Sequence, residues 1–297
     1  MATVEDARPR RLGLLQAGSS LVALVAIAWW ASKQHPPHLA LDEHALARLG
    51  AALALYAGGT ALRAERWQRI LERRGLARGR AASYGLTLVG YMGNNTLPAR
   101  AGDVMRVMML GGKRRAVLGT VVAERALDVA ALGLIFGVVV AERGLAFGPL
   151  PYLAAAGAAA AVAGVLVWRL APRVREWALP VATATRELLS AYGAALLALS
   201  LVIWSIEAAV YATVGSAVGI RLGVTGGLYV MALTNLSALV PAAPGYVGTF
   251  DAAVLLALRS LGLPALGYLL VLRFVLFVPI TVAGFAVLVA RHARRNR

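Results

Sequence analysis

Asn94-Asn95-Thr96-Leu97-Pro98-Ala99-Arg100-Ala101-Gly102-Asp103 interrupts a chain that is otherwise strongly apolar. In the other half, Pro241-Ala242-Ala243-Pro244-Gly245-Tyr246-Val247-Gly248-Thr249-Phe250-Asp251 does the same. A bilayer interior holds no water for unpaired backbone groups, so broken backbone at that depth survives only inside protein or beside a polar cavity. Paired breaks in the two halves of a chain mark transporters whose site lies between discontinuous helices. These two stretches therefore decide the reading: an all-α polytopic membrane protein with the breaks at its functional centre.

The surroundings agree. A 60% share of hydrophobic residues and a mean hydropathy of +0.71 do not suit a soluble domain of 297 residues. Runs near Leu12–Ala31, Leu46–Leu62, Val117–Ala141, Leu150–Arg169, Ser190–Gly219 and Gly267–Ala290 approach or exceed the roughly 20 residues that cross hydrocarbon. The run Ser190–Gly219 is over-long and is expected to tilt or reach the interface. Leu12–Ala31, flanked by Arg8, Arg10 and Arg11, is too long for a signal peptide. It also carries Trp29-Trp30 where small residues belong, so it reads as an uncleaved first span. There is no cysteine, hence no disulfide or thiolate metal site.

The net charge of +16 is a topology signal. Lys and Arg concentrate at the N-terminus and in 63–80, 113–115, 169–186 and 291–297, and are sparse in the alternate loops. That is the positive-inside asymmetry, and it expects both termini in the cytoplasm of a cell inner membrane. It also expects attraction to anionic lipid head groups at the cytoplasmic face, and no nucleic-acid partner. Residues 63–80 and 113–115 then share a face, so 81–110 must enter and leave by that face with the first break at its tip. Residues 227–262 repeat this from the opposite face. Two shorter full spans would satisfy the same charges. The expectation is about six full transmembrane helices plus two re-entrant helical hairpins. All lie in one integral membrane domain, 1–297, with inverted-repeat halves 1–148 and 149–297.

Charges inside the apolar runs need partners or a function. Arg100, Asp103 and Arg106 recur every three residues behind Pro98. Two guanidiniums and a helix N-terminus would bind a phosphodiester; an Arg–Asp–Arg bridge is the structural alternative. Glu124 and Asp128 share a face of the next span, with Arg125 within reach of Asp128. Arg273 lies inside the last span, and Asp251 is its expected partner: either the pair pins the second hairpin to that span, or Arg273 meets substrate. Glu207 sits mid-span with no cation near it in sequence; it is a candidate for proton coupling, with a hydrogen-bonded core glutamate as the alternative. Arg63–Arg80 reads as a basic amphipathic helix at the inner interface, with Trp67, Ile70 and Leu71 on its apolar face. There is no G-x-x-x-x-G-K-[ST] loop for ATP. His35, His38 and His44 are poorly spaced for a metal, and the histidines lie outside the spans. No metal and no cofactor are expected.

The segment carrying Asn95, Pro98, Arg100, Gly102, Asp103 and Arg106, then Glu124-Arg125-x-x-Asp128, resembles the lysylphosphatidylglycerol synthase transmembrane-region family of flippase-like proteins. Pro244-Gly245-x-x-Gly248-x-x-Asp251 and Arg273 are similar to its C-terminal signature. Asp103 and Asp251 stand where that family more often has glutamate, and Tyr246 replaces a frequent second glycine. The resemblance implies an integral lipid-handling protein whose relatives move aminoacylated phosphatidylglycerol or accompany hopanoid and polyprenyl-glycolipid pathways. The bifunctional relatives carry a soluble aminoacyl-transferase domain after the membrane part. With the sequence ending at Arg297, no lysyl transfer is expected. The reading is a non-enzymatic lipid flippase for an anionic or phosphate-containing lipid. Its alternatives are a membrane accessory subunit of a lipid-synthesising enzyme or glycosyltransferase, and an intramembrane enzyme acting on a lipid phosphate.

Overall fold

The computed structural model describes residues 42–97, 100–143, 183, 186–238 and 244–295. Within them the chain is all-helical: α1 (Glu43–Arg73), α2 (Arg80–Thr96), α3 (Ala101–Leu110), α4 (Arg114–Arg143), α5 (Ala191–Ala217), α6 (Gly223–Ser237), α7 (Thr249–Ser260) and α8 (Leu266–Arg295). Of these, α1, α5 and α8 are long and apolar enough to cross a bilayer. They coincide with the expected runs Leu46–Leu62, Ser190–Gly219 and Gly267–Ala290. The run Val117–Ala141 forms α4, 30 residues long, with Glu124, Arg125 and Asp128 along it. The expected spans Leu12–Ala31 and Leu150–Arg169, both termini and Pro98 lie outside the described residues.

Local chemistry sets several helix ends. Asp42 caps α1 by accepting from the Ala45 amide at 2.7 Å, and Ser190 caps α5 through the Gly193 amide. The α1 helix then runs unbroken for 31 residues, past the expected end of its span. Arg63–Arg73 is therefore its last turns and no separate interface helix. Arg63 and Arg66 are buried and ion-paired there, which corrects their reading as part of a basic outer face.

The described residues of both breaks, 94–97 with 100–103 and 244–251, sit at the tips of antiparallel helix pairs. In the first, α2 and α3 touch backbone to backbone. A Cβ on Gly93 would lie 2.6 Å from the Gly102 Cα, and one on Gly102 only 1.9 Å from the Gly90 carbonyl oxygen. The limbs stay together to their base, where Leu86 meets Val107 and Leu110. In the second, the Ser237 hydroxyl donates to the Thr249 carbonyl near the tip, and Ser260 reaches Tyr229 at the base. The tips meet in the middle of the fold. Gly245 lies against the Asn95 carbonyl, and Arg100 donates to the Ala238 carbonyl at 3.1 Å. Apolar side chains also remain on the outside. Phe274, Val278, Val282, Phe285 and Val289 form an exposed stripe along α8, as a lipid-facing surface requires.

Candidate functional site

Where the tips converge, a cavity of about 110 Å³ is lined by charge and aromatic rings. Arg63, Arg100 and Arg125 face it with Asp128 and Glu207, and Asn94, Asn95 and Asn235 add amides. Tyr56, Tyr91, Trp204, Tyr246 and Phe250 complete the wall. Charged and amide groups converging between aromatic rings are the arrangement that orients a polar ligand or head group.

Behind the cavity the charges close into a ring. Asp103 accepts from Arg106 at 3.2 Å and from Arg125 at 3.0 Å. Glu124 accepts from Arg106 at 2.7 Å and from Arg66 at 3.4 Å. Asp128 accepts from Arg66 at 2.8 Å and from Arg125 at 3.1 Å, which completes the circuit. Three guanidiniums alternate with three carboxylates, so the ring is neutral, and it ties α1, α3 and α4 together. Further contacts hold it: Ser200 accepts from Arg66, Trp204 donates to Asp128, and Arg106 lies over the Trp67 ring. Buried charges persist when each is paired and hydrogen-bonded.

This arrangement corrects the phosphate site built on Arg100 with Arg106. Arg106 is 2% exposed and consumed by Glu124 and Asp103; it does not line the cavity. The first-turn Asp103 amide is also taken, because the Asn94 side chain accepts from it at 3.2 Å. The structural alternative, a bridged hairpin, describes Asp103 and Arg106. Arg100 differs. It has no carboxylate partner among the described residues; its contacts are the Ala238 carbonyl and the Tyr246 ring, 5.5 Å away.

Arg100 and Tyr246 are also the two described non-glycine residues with positive φ, each at 55°. Left-handed backbone costs an L-residue roughly 1–2 kcal/mol. Such strain concentrates where surrounding structure enforces a functional geometry. Here it turns one side chain from each tip towards the other, over the cavity.

The second tip has its own clamp. Arg273 grips Asp251 with two guanidinium nitrogens, one at 2.9 Å, and donates to the Gly245 carbonyl at 3.0 Å. Asp251 in turn accepts from the Gly248 amide at 2.9 Å, so Gly245 and Gly248 shape the tip while the expected Asp251–Arg273 pair pins it. Arg125 grips Asp103 through its own Nε and Nη2 in the same way. In both halves the arginine follows its aspartate by 22 residues, from the long helix after the hairpin.

Glu207 also differs from its expected setting. Arg63, 144 residues away in sequence, donates to it at 3.1 Å while lying over the Trp204 ring. The absence of a nearby cation held in sequence only; in space Glu207 is half of an ion pair on the cavity wall. Arg63 and Arg66 were missed as site residues, though their spacing marks them. They fall in one stripe at i, i+3, i+4, i+7 and i+8 with the buried Trp67, Ile70 and Leu71. Tyr56, Tyr91 and Asn235 carry no comparable signal.

Comparison with curated proteins and with solved structures finds no match. The profile of one family, described as the lysylphosphatidylglycerol synthase TM region, matches residues 16–284. That match covers the hairpins, the ring and the cavity alike. The chain belongs to the lysylphosphatidylglycerol synthase TM region family.

Proposed function

We propose that this protein moves a lipid with a single anionic phosphate between leaflets, taking its head group into the cavity between the hairpin tips. The observation that carries the reading is Arg100. The ring is neutral and Arg63 is matched by Glu207, which leaves Arg100 as the unmatched charge on the cavity wall among the described residues. One surplus guanidinium beside amides and aromatic rings suits a phosphodiester. Lengths support hairpins that turn back within the membrane. At 1.5 Å per residue, the 10 residues of α3 and the 12 of α7 reach only about 15 and 18 Å, short of a hydrocarbon core of about 30 Å. The matched 22-residue Asp–Arg clamps support an inverted repeat, the symmetry used for alternating access. The charge placement supports an inner-membrane location with both termini cytoplasmic.

The test is a liposome assay with head-group-labelled phosphatidylglycerol. Arg100→Ala is expected to slow its movement roughly ten- to hundredfold, since a charge-assisted hydrogen bond contributes about 1.5–3 kcal/mol. Its melting temperature should stay near that of the parent protein. Parent-like movement by Arg100→Ala would reject the reading and favour an accessory role; chemical change of the lipid would favour an enzyme.

Glu207→Gln separates two roles for the carboxylate. As the counter-charge of Arg63, its loss should slow transport severalfold at every pH gradient. Loss of the gradient dependence alone would identify Glu207 as a proton carrier.

A further inference from the structure

A second cavity, of about 430 Å³, lies between α1, α2 and α8. Its walls are apolar: Leu53, Ala57, Ala61 and Ala64 from α1, Leu88 from α2 and Ile280 from α8. Small side chains on one face of α1 leave a furrow there. Residues 53 to 64 extend it over roughly 16 Å, the dimension of a chain rather than of a head group. Tyr56 lines both this furrow and the central cavity, so the two adjoin. The opposite end is polar, where the Tyr84 hydroxyl donates to Glu65, itself paired with Arg80.

The furrow contains one unexplained polar atom. Thr60 is 7% exposed and its hydroxyl has no hydrogen-bond partner among the described residues. Helical threonines ordinarily return the hydroxyl to the carbonyl four residues back. Thr87, Thr96, Thr234 and Thr281 each do so here. Thr60 lines the furrow without doing so, and a buried hydroxyl left unpaired is costly. An ester carbonyl entering the furrow would accept from it.

We infer that the furrow holds an acyl chain of the transported lipid, with Thr60 donating to its ester carbonyl while the head group occupies the central cavity. The inference rests on the lipid reading above and narrows it. The substrate is an ester-linked glycerolipid rather than an ether-linked lipid or a polyprenyl phosphate, neither of which offers that carbonyl.

The experiment uses the full-length protein in liposomes containing a trace of phosphatidylglycerol with a diazirine in one acyl chain. After irradiation, crosslinked peptides are mapped by mass spectrometry. Crosslinks on residues 53–64 and on Ile280 and Ala283 should exceed those on the exposed α8 stripe at least tenfold. Ala61→Phe, which fills the furrow, should reduce them at least fivefold. Val202→Phe, on an exposed position of α5, should leave them unchanged. Diester phosphatidylglycerol should displace the probe about tenfold better than its diether analogue or a polyprenyl phosphate, and Thr60→Val should erase that preference. The competition needs only the unmodified protein, so it stands even where Ala61→Phe fails to fold. Even labelling of all outward helices, or equal displacement by diester and diether lipids, overturns the inference. So does a quantitative disulfide between cysteines placed at Ala61 and Ala23, which would give the furrow to the chain's own N-terminal segment. Furrow labelling without any lipid movement would reject the transport reading and leave this site standing.

Discussion

Arg106→Ala is expected to destabilise the protein by about 3–5 kcal/mol, the usual cost of removing one partner from a buried ion pair. The guanidinium is 2% exposed and bridges Glu124 and Asp103, so its loss leaves two carboxylates short of a cation inside the fold. The Trp67 face it covers is also left unpacked. Arg106→Lys should recover part of the loss, because an ammonium keeps the charge but not the fork that reaches both carboxylates. Thermal unfolding in detergent reads the order: parent, Arg100→Ala close to it, Arg106→Lys lower, Arg106→Ala lowest. A stable Arg106→Ala protein that no longer moves lipid would place Arg106 at the substrate and break the ring account. The separation of Arg100 from Arg106 is the useful content. Six residues apart, one holds the fold together and the other faces the cavity.

Gly102→Ala is the second large effect, and it is steric. Its Cβ would lie 1.9 Å from the Gly90 carbonyl oxygen and 2.5 Å from the Asn94 amide nitrogen. Both are backbone atoms, so no side chain can rotate away, and the limbs of the first hairpin must separate. Overpacking of this kind costs about 1–3 kcal/mol, occasionally more, and backbone against backbone belongs at the upper end. Separation also pulls Asn94 from the Asp103 amide and draws Asp103 away from Arg125. Gly58→Ala is the control, since a Cβ there meets nothing within 4 Å. Gly102→Ala should lower the melting temperature strongly while Gly58→Ala leaves it unchanged or slightly raised. Equal stability of the two would mean that the limbs are not in contact.

The ring and the cavity divide the charged residues by depth. Ring members carry mutual compensation and set the relative positions of α1, α3 and α4. Arg63, Arg100 and Glu207 face open space, where a ligand can exchange for a protein partner at lower cost. Asp128 and Arg125 belong to both, so changes at either should disturb stability and transport together.

By itself the sequence determined the class of protein and the places where its apolar helices are interrupted. Apolar runs of membrane length, the breaks at 94–103 and 241–251, and charges at helical spacing all follow from composition and local order. The pairing of Asp251 with Arg273 was legible for the same reason, since Asp251 is the one acid in 227–262 and Arg273 the one charge in Gly267–Ala290. Local order cannot say which of several buried arginines meets which carboxylate. Arg66 closing the ring with Glu124 and Asp128, Arg63 meeting Glu207 across 144 residues, and Arg100 left as the surplus cation were decided by tertiary packing alone. The physical reason is that a guanidinium in an apolar interior takes whichever carboxylate the helix packing brings within about 3 Å, and sequence separation does not enter that choice.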